Sequence, residues 1–173
     1  MRKAFRGEHE SKVDGKGRFV IPAQFRPVIQ VSDPDYEKGA QATIIVVFGS
    51  LDGKPRDRSL DCYPVSTAEE VQARIESLER SSPLRTVMDY QFNTCSAEIA
   101  MDDTGRLVLP KPLRDRLDLA DGGTAVLRGN GDTFQMWHPD AYAAHLDNTL
   151  GAAMAALPDG INPMLTLYQQ TGG

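Results

Sequence analysis

The chain has 173 residues, 40% of them apolar and 25% charged, which excludes wholesale disorder and is enough for one compact domain or two small ones. Its formal net charge of −5 argues against a protein that coats nucleic acid over its whole surface. The charge is uneven, because residues 1–18 carry six Lys and Arg against three Asp and Glu, so we expect a positive N-terminal patch on an acidic body.

The cysteines and the hydropathy pattern limit the cellular compartment and the kinds of site that the sequence can form. Cys62 and Cys95 lie far apart, without a CxxC pair or a neighbouring His, which argues against a zinc site and indicates buried thiols in a reducing compartment. No apolar stretch approaches the roughly 20 residues of a membrane helix. The basic N-terminus is not followed by the apolar core of a signal peptide. We therefore expect a cytoplasmic protein with no metal and no membrane contact.

The first elements along the chain surround a charged turn. Asp14-Gly15 is a favoured hairpin-turn pair, since glycine adopts positive φ without steric cost. The segment "RFVI" (18–21) is typical of a short buried strand, and Pro22 suits the first turn of a short helix, "PAQFRPVI". A capping box at Ser66 and Glu69 opens a later helix. Two strands and that helix are predicted at 42–50, 60–65 and 66–79.

The same order of elements returns in the second half of the chain. "MDDTGRLVLP" (101–110) matches "VDGKGRFVIP" (13–22) at an offset of 88, and the match extends to Leu113-Arg114 over Phe25-Arg26. Each unit therefore reads as a hairpin, a short helix, a second hairpin and an outer helix. The second unit's strands and helices are predicted at 97–101, 106–109, 110–117, 124–129, 133–138 and 139–157.

The repeat sets the expected domain organisation. We expect a first repeat at 4–82, a second at 83–157 and a C-terminal tail at 158–173 that has no clear period. Each repeat is small for a unit that must bury a core of its own, so the two are expected to fold together as a pseudo-two-fold pair. The first repeat is longer because of polar, turn-rich inserts at 31–40 and 51–59, which are predicted surface loops.

Four segments carry a resemblance to a known family, and they are "FRGEHE" (5–10), "VDGKGRFVIPAQFR" (13–26), "MDDTGRLVLPKPLR" (101–114) and "FQMWHPDAYAAHL" (134–146). Over roughly residues 4–150 the chain resembles the MraZ family of bacterial transcriptional regulators, in the AbrB-like swapped-hairpin barrel group. The resemblance implies an α+β fold in which tandem AbrB-like swapped-hairpin repeats form a pseudo-two-fold β-barrel with outer helices. One departure is the four residues that precede "FRG", which add two positive charges.

The resemblance also implies a function. It implies binding to double-stranded DNA at short G-rich promoter repeats near the division and cell-wall gene cluster. It implies a homo-oligomer, a closed ring in which several N-terminal turns engage successive repeats. No catalytic centre and no cofactor are expected, and the protein is expected in the cytoplasm, associated with the nucleoid.

The predicted DNA-binding residues come partly from the resemblance and partly from their own chemistry. The resemblance assigns DNA contact to Arg18, and Lys16 and Arg6 match basic residues of the family. An arginine at a narrow turn can donate two parallel hydrogen bonds to guanine O6 and N7. The other basic residues suit phosphates, which position a protein without specifying a sequence. The predicted set is Arg18, Lys16, Arg6, Lys3, Arg2 and Arg106.

The second turn differs from the first in charge. It reads Asp-Asp-Thr-Gly-Arg where the first reads Asp-Gly-Lys-Gly-Arg, so it lacks a lysine and gains an aspartate. Arg106 is therefore open between DNA contact and architecture, and the second turn is expected to be mostly architectural. Structural roles in the two turns are predicted for Asp14, Gly17, Asp102 and Gly105.

Other features have plainer interpretations. Lys111, Arg114 and Arg116 are predicted to form a solvated helix face, and Trp137 a core or interface aromatic. A protein-interaction module, as in toxin–antidote pairs, is disfavoured by the lack of a long disordered C-terminal arm. An enzyme with a cysteine nucleophile and a histidine base is a third possibility that no spacing supports.

Overall fold

A computed structural model describes residues 4–48 and 58–171 of the chain. The predictions for Arg2, Lys3 and residues 51–57 of the second insert lie outside these ranges. The chain divides into two compact units, one that ends at Ala141 and one that begins at Tyr142.

Eight strands occur in the described part of the first unit. In most of them buried side chains alternate with more accessible ones over part of the strand, as expected for strands that cover a core on one face. In chain order they are β1 (Glu8–Val13), β2 (Arg18–Val20), β3 (Ala42–Val47), β4 (Ser59–Pro64), β5 (Ser96–Met101), β6 (Arg106–Val108), β7 (Gly123–Asn130) and β8 (Thr133–Trp137).

The strands of the two sequence repeats are interleaved. Six of them pair antiparallel in one sheet, in the order β1-β7-β8-β4-β3-β5, and β2 pairs with β6 in a second sheet. The first repeat's β1 pairs with β7 of the second repeat, and the second repeat's β5 pairs with β3 of the first. The order reads the same from either end when the repeats are exchanged, so each repeat supplies an edge strand to the strands of the other.

Two predictions about these strands need correction, although the α+β class is confirmed. The hairpin predicted between β1 and β2 is wrong, because β1 pairs with β7 and β2 with β6. The described strands also do not close into a barrel, since β1 and β5 are the edges of the larger sheet. The cross-repeat pairing is compatible with the burial of side chains in both strands, because β2 and β6 each have one buried residue between two exposed ones. Pairing them sets the inward Phe19 opposite the inward Leu107.

The main core lies between the two sheets. Its tightest region encloses an apolar cavity of about 10 Å³, which is about the space of a single water and has no polar lining atom. An apolar cavity of this size offers a water no polar partner. The residues around this cavity come from both sheets and the segments that follow β2 and β6, and they are Phe19, Ile21, Ile44, Val46, Cys62, Ile99, Leu107, Leu109, Phe134 and Met136.

Seven α-helices and two π-helical segments complete the described residues. The α-helices are α1 (Arg26–Ser32), α2 (Val65–Glu76), α3 (Pro83–Met88), α4 (Lys111–Arg116), α5 (Pro139–His145), α6 (Gly151–Ala155) and α7 (Pro163–Thr171). The π-helical segments, Asp89–Thr94 and Leu146–Leu150, continue α3 and join α5 to α6.

Several helix predictions need correction. The capping box is wrong, because α2 begins one residue before Ser66, after Pro64 in extended backbone, and no side chain caps it. The first short helix begins at Arg26 rather than at Pro22. The helix α3 was not predicted, and α7 occupies a tail in which the sequence shows no period. In the described part of the second unit, no side chain after Tyr142 is buried.

Candidate nucleic-acid interface

The two turn arginines lie on one face of the two-stranded sheet, which we call the β2–β6 ribbon. Arg18 lies opposite Val108, and Val20 lies opposite Arg106. Because side chains alternate along a strand, these four point away from the core, and the two valines are 53% and 44% exposed. An antiparallel two-stranded ribbon is one of the elements that the major groove of DNA admits.

The first turn is organised around Asp14. One carboxylate oxygen, Oδ1, accepts hydrogen bonds from the backbone N–H groups of Lys16 and Arg18, each at 2.9 Å. The other, Oδ2, accepts from Nε of Arg18 at 2.6 Å, and the Arg18 side chain is nonetheless 63% exposed. The ion pair therefore fixes the base of the guanidinium and leaves its far edge open to solvent.

The second turn has the same backbone and a different use of its aspartate. Oδ1 of Asp102 accepts from the N–H groups of Thr104 and Arg106, each at 2.9 Å, and from the Thr104 hydroxyl at 2.8 Å. Among the hydrogen bonds of the described residues, Arg106 gives Asp102 only its backbone N–H. The second arginine is therefore less constrained than the first.

The glycine before each arginine is required by the backbone and by its surroundings. Gly17 and Gly105 both have φ of +84°, a conformation that residues with a Cβ rarely adopt. The carbonyl of Gly17 accepts from the Leu109 N–H at 2.7 Å, and that of Gly105 accepts from the Ile21 N–H at 2.8 Å. Each turn therefore accepts a hydrogen bond from the residue that follows the ribbon strand of the other repeat.

The predicted solvated face of α4 is wrong for Arg114, whereas Lys111 and Arg116 are exposed as predicted. Arg114 is half-buried, and its Nη1 donates to the carbonyl of Gly15 at 2.6 Å and to that of Ala120 at 3.2 Å. The guanidinium of Arg116 lies over the Phe48 ring, 4.8 Å from its centroid, and donates to the carbonyl of Phe48 at 2.9 Å. Lys111 is exposed and pairs with Asp115.

The two turn aspartates are held in their charged form. Hydrogen bonds from the backbone and then the side chain of Arg18 keep the pKa of Asp14 below its usual value. The backbone N–H of Arg106 and then the hydroxyl of Thr104 keep the pKa of Asp102 low in the same way. The carboxylates are therefore ionised at neutral pH, where the turns need them as acceptors.

The remaining predicted basic residues lie at different places. Lys16 is exposed at the tip of the first turn, beside the ribbon. Arg6 is also exposed but lies beyond the opposite end of β1, and a six-residue strand places it roughly 20 Å from the turn. The structure therefore brings Arg18 and Arg106 together on the ribbon, places Lys16 in the same turn as Arg18, and sets Arg6 apart from them.

A surface groove of about 780 Å³ lies beside the ribbon. Its cationic lining residues are Lys12, Arg18 and Arg106, and its acidic ones are Glu98 and Asp102. Lys12 belongs to the positive N-terminal segment but not to the predicted DNA-binding set. The sequence could have indicated Lys12, because Val13 beside it is apolar and points inward, so Lys12 must point outward on the same strand.

The structure gives little support for a cysteine enzyme, a metal site or an exposed aromatic platform in the described residues. Cys62 and Cys95 are both buried, and burial raises the pKa of the Cys62 thiol, which disfavours the thiolate that a nucleophile requires. Within residues 4–48 and 58–171, no three His, Cys, Asp or Glu side chains are grouped so that they could hold a metal ion. Trp137 is buried, so its ring does not serve as an exposed stacking surface. None of the helices in the described ranges is both long and apolar enough to cross a bilayer.

Comparison with known proteins gives a consistent assignment. Residues 95–159 match the family model described as "MraZ protein, putative antitoxin-like". The chain is 40% identical to the transcriptional regulator MraZ of Ruegeria sp. (strain TM1040), over 95% of both chains. It is 38% identical to that of Ruegeria pomeroyi over 95% of both chains, and 37% identical to that of Cereibacter sphaeroides over 99% of both. The chain therefore belongs to the MraZ family.

Proposed function

We propose that this chain is a DNA-binding transcriptional regulator that uses the β2–β6 ribbon to read short G-rich promoter repeats. The observation that carries the proposal is that Arg18 and Arg106 emerge on one exposed face of a narrow ribbon. The regulator names of the relatives support the same role. The regulated genes are those of the division and cell-wall cluster, and the protein acts at the nucleoid.

The first turn supplies base recognition in this proposal. Asp14 occupies Nε of Arg18, so the two terminal nitrogens of the guanidinium point outward as a preset fork. Such a fork matches O6 and N7 of one guanine, and each good bidentate pair contributes about 1–3 kcal/mol of discrimination. Arg106 makes a second, less constrained contact from the same face. Between the arginines, the exposed Val20 and Val108 form an apolar surface that lies against base edges.

The lysine and the more distant basic residues supply phosphate contacts. Lys16 is exposed at the tip of the turn, where a point charge suits a phosphate. Arg6 lies roughly 20 Å away at the other end of β1, a distance that reaches phosphates on another part of the duplex. We assign the same role to Arg2 and Lys3, which continue the positive segment.

Assembly completes the proposed function. One subunit presents few cations on an acidic body, and its binding at physiological salt is weak. In a closed ring, several ribbons meet successive repeats, and avidity can exceed the affinity of one site by about 10²–10⁴. Native mass measurement of the free protein tests this part, and a monomer at working concentration contradicts it.

The DNA proposal is tested by titrating the protein with two duplexes of equal length. One carries several GGG triplets spaced by about 10 base pairs, one helical turn, and the other carries a single triplet. We expect the repeated duplex to bind more tightly, and Arg18→Ala to remove that advantage. Arg74→Ala, which changes an exposed arginine on α2, is the matched control. A folded Arg18→Ala protein that keeps the full advantage contradicts the proposal.

A further inference from the structure

We propose that Arg114 is a positioning residue that holds the first turn in the shape in which Lys16 and Arg18 meet DNA. The inference rests on the proposed function, since it concerns the same turn. Arg114 lies on α4 of the second repeat, whereas the turn belongs to the first, so the contact joins residues 99 apart in the sequence. The turn is thereby held from outside its own repeat.

The contact to the turn is short and charge-assisted. Nη1 of Arg114 donates to the carbonyl of Gly15 at 2.6 Å, at the short limit for a hydrogen bond from an ionised nitrogen donor. The same nitrogen donates to the carbonyl of Ala120 at 3.2 Å, in the loop that follows α4. One guanidinium thus joins the first turn to α4 and to the next loop of the second repeat.

The stem of Arg114 packs against the same turn through Gly17. A Cβ at Gly17 would come within 3.0 Å of Nε and 3.1 Å of Cδ of Arg114, and it would run into the carbonyl oxygen of Leu109. The arginine therefore fills the space that the glycine leaves empty. Gly15 and Gly17 flank Lys16, so the turn is fixed on both sides of its exposed lysine.

The loop beyond α4 supports the turn from a third direction. A Cβ at Gly122 would lie 2.8 Å from the carbonyl oxygen of Val13 and 3.1 Å from the backbone N of Gly15. The backbone of this loop is thus in close contact with the turn that Arg114 bonds. Such a preorganised turn loses less conformational freedom when it binds than a mobile one.

The equivalent arginine of the first repeat gives a matched comparison. Arg26 lies 88 positions before Arg114 and packs over Gly105, the glycine of the second turn. Its Nε donates instead to the carbonyl of Ile21 at 3.0 Å, within its own repeat. The two arginines therefore have similar packing, but the bond from Arg114 goes to the turn that carries the lysine.

The test compares Arg114→Gln, Arg114→Lys and Arg26→Gln in the full chain, with the duplex of several GGG triplets as the probe. We expect Arg114→Gln to weaken binding about tenfold, the effect of losing a charge-assisted hydrogen bond. Arg114→Lys keeps the aliphatic stem and a charged donor, so we expect it to recover most of the affinity. Arg26→Gln is expected to have the smaller effect.

Two further readouts separate positioning from direct contact and from general stability. Arg114→Gln should leave the slope of log affinity against log salt unchanged, whereas a lost phosphate contact lowers it by about one. It should also speed amide hydrogen exchange at Lys16 and Arg18, and leave the amides of Thr104 and Arg106 unchanged. A lowered slope, or unchanged exchange at Lys16 and Arg18, overturns the inference.

The design keeps the two proposals distinguishable. If Arg18→Ala and Lys16→Gln leave DNA binding intact, the proposed function fails, and the exchange rates in Arg114→Gln still report whether Arg114 holds the turn. If those two variants weaken binding and Arg114→Gln does not, the positioning role alone is overturned. Should Arg114→Gln fail to fold, Arg114→Met, which keeps an unbranched stem and removes the donor to the Gly15 carbonyl, replaces it in both the binding and the exchange measurements, with the same outcomes expected.

Discussion

Arg18 and Arg106 occupy diagonal positions on the exposed face of the β2–β6 ribbon, with Val108 directly opposite the first and Val20 directly opposite the second. Diagonal neighbours on a paired face lie about 7–8 Å apart at their Cα atoms. Two arginines from equivalent positions of a sequence repeat thus form one surface. A single chain, before any assembly, presents both of its turn arginines together.

The glycine at position 17 should tolerate no side chain. Gly17→Ala adds a strained positive φ and a collision with the Leu109 carbonyl, so we expect a loss of about 2–4 kcal/mol in the free energy of unfolding. Gly39→Ala is the matched control, because Gly39 has φ of +87° and open space around its Cβ position. We expect the control to lose about 1 kcal/mol. Equal losses in denaturant titrations would show that the contact at Gly17 is absent.

The ribbon's inward and outward positions should differ sharply in stability. Phe19 is buried beneath the ribbon, and Phe19→Ala should lower the free energy of unfolding by about 3–5 kcal/mol. Val20 points outward, and Val20→Ala should change it by about 0.5 kcal/mol. Thermal or denaturant unfolding of both variants measures the difference. The reverse order would mean that the register of β2 is shifted by one residue.

The turn aspartates should titrate below the ordinary carboxyl value of 3.8. Their folded-state pKa values are depressed, so the bonds they accept stabilise the folded chain above that value, and this contribution is lost as the pH falls through the depressed pKa. Arg18→Ala should raise the pKa of Asp14 and leave that of Asp102 unchanged. Carbon-13 NMR titration of the carboxyl groups checks both values. A pKa of Asp14 that does not respond would mean that the Arg18–Asp14 ion pair does not form in solution.

Phosphate contacts should be visible in the salt dependence of DNA binding. Lys16→Gln removes one cation from the turn tip, so the slope of log affinity against log salt should decrease by about one for each subunit bound. Arg74→Gln removes a cation from α2, away from the ribbon, and should leave the slope unchanged. The measurement is a binding titration on the repeated duplex at several salt concentrations. If both variants lower the slope equally, binding is a property of total charge rather than of the turn.

Much of the local structure could be predicted from the sequence, and the pairing of the strands could not. The periodicity around "RFVI" and "RLVL" and the turn residues beside them predicted strands close to where they occur. The partner of β2 was not predictable, because an intra-repeat hairpin and a cross-repeat ribbon satisfy the same alternation of Phe19 and Val20. The choice depends on burying Phe19 opposite Leu107, a contact between residues that are remote in the chain.

In the candidate site, too, the local features could be predicted from the sequence and the contacts between distant residues could not. The turn residues and their arginines are readable from the repeat itself, because the same residue types recur at the same spacing. The sequence predicts a solvated face for Arg114, and this prediction is wrong because the contact that orders the side chain is remote in the chain. Its partner, Gly15, lies 99 residues away. The recurrence of arginine at Arg26 and Arg114, after the same short segment, was the available signal.

Direct reading of guanine by Arg18 is the central claim, and a double-mutant cycle between protein and DNA tests it most directly. The affinity of the wild-type protein and of Arg18→Ala is measured on the duplex of GGG triplets and on the same duplex with 7-deazaguanine, which lacks the N7 acceptor. We predict that 7-deazaguanine weakens binding of the wild type but has little further effect on Arg18→Ala, because the contact it removes is already lost. Equal weakening of both proteins by 7-deazaguanine would contradict the claim.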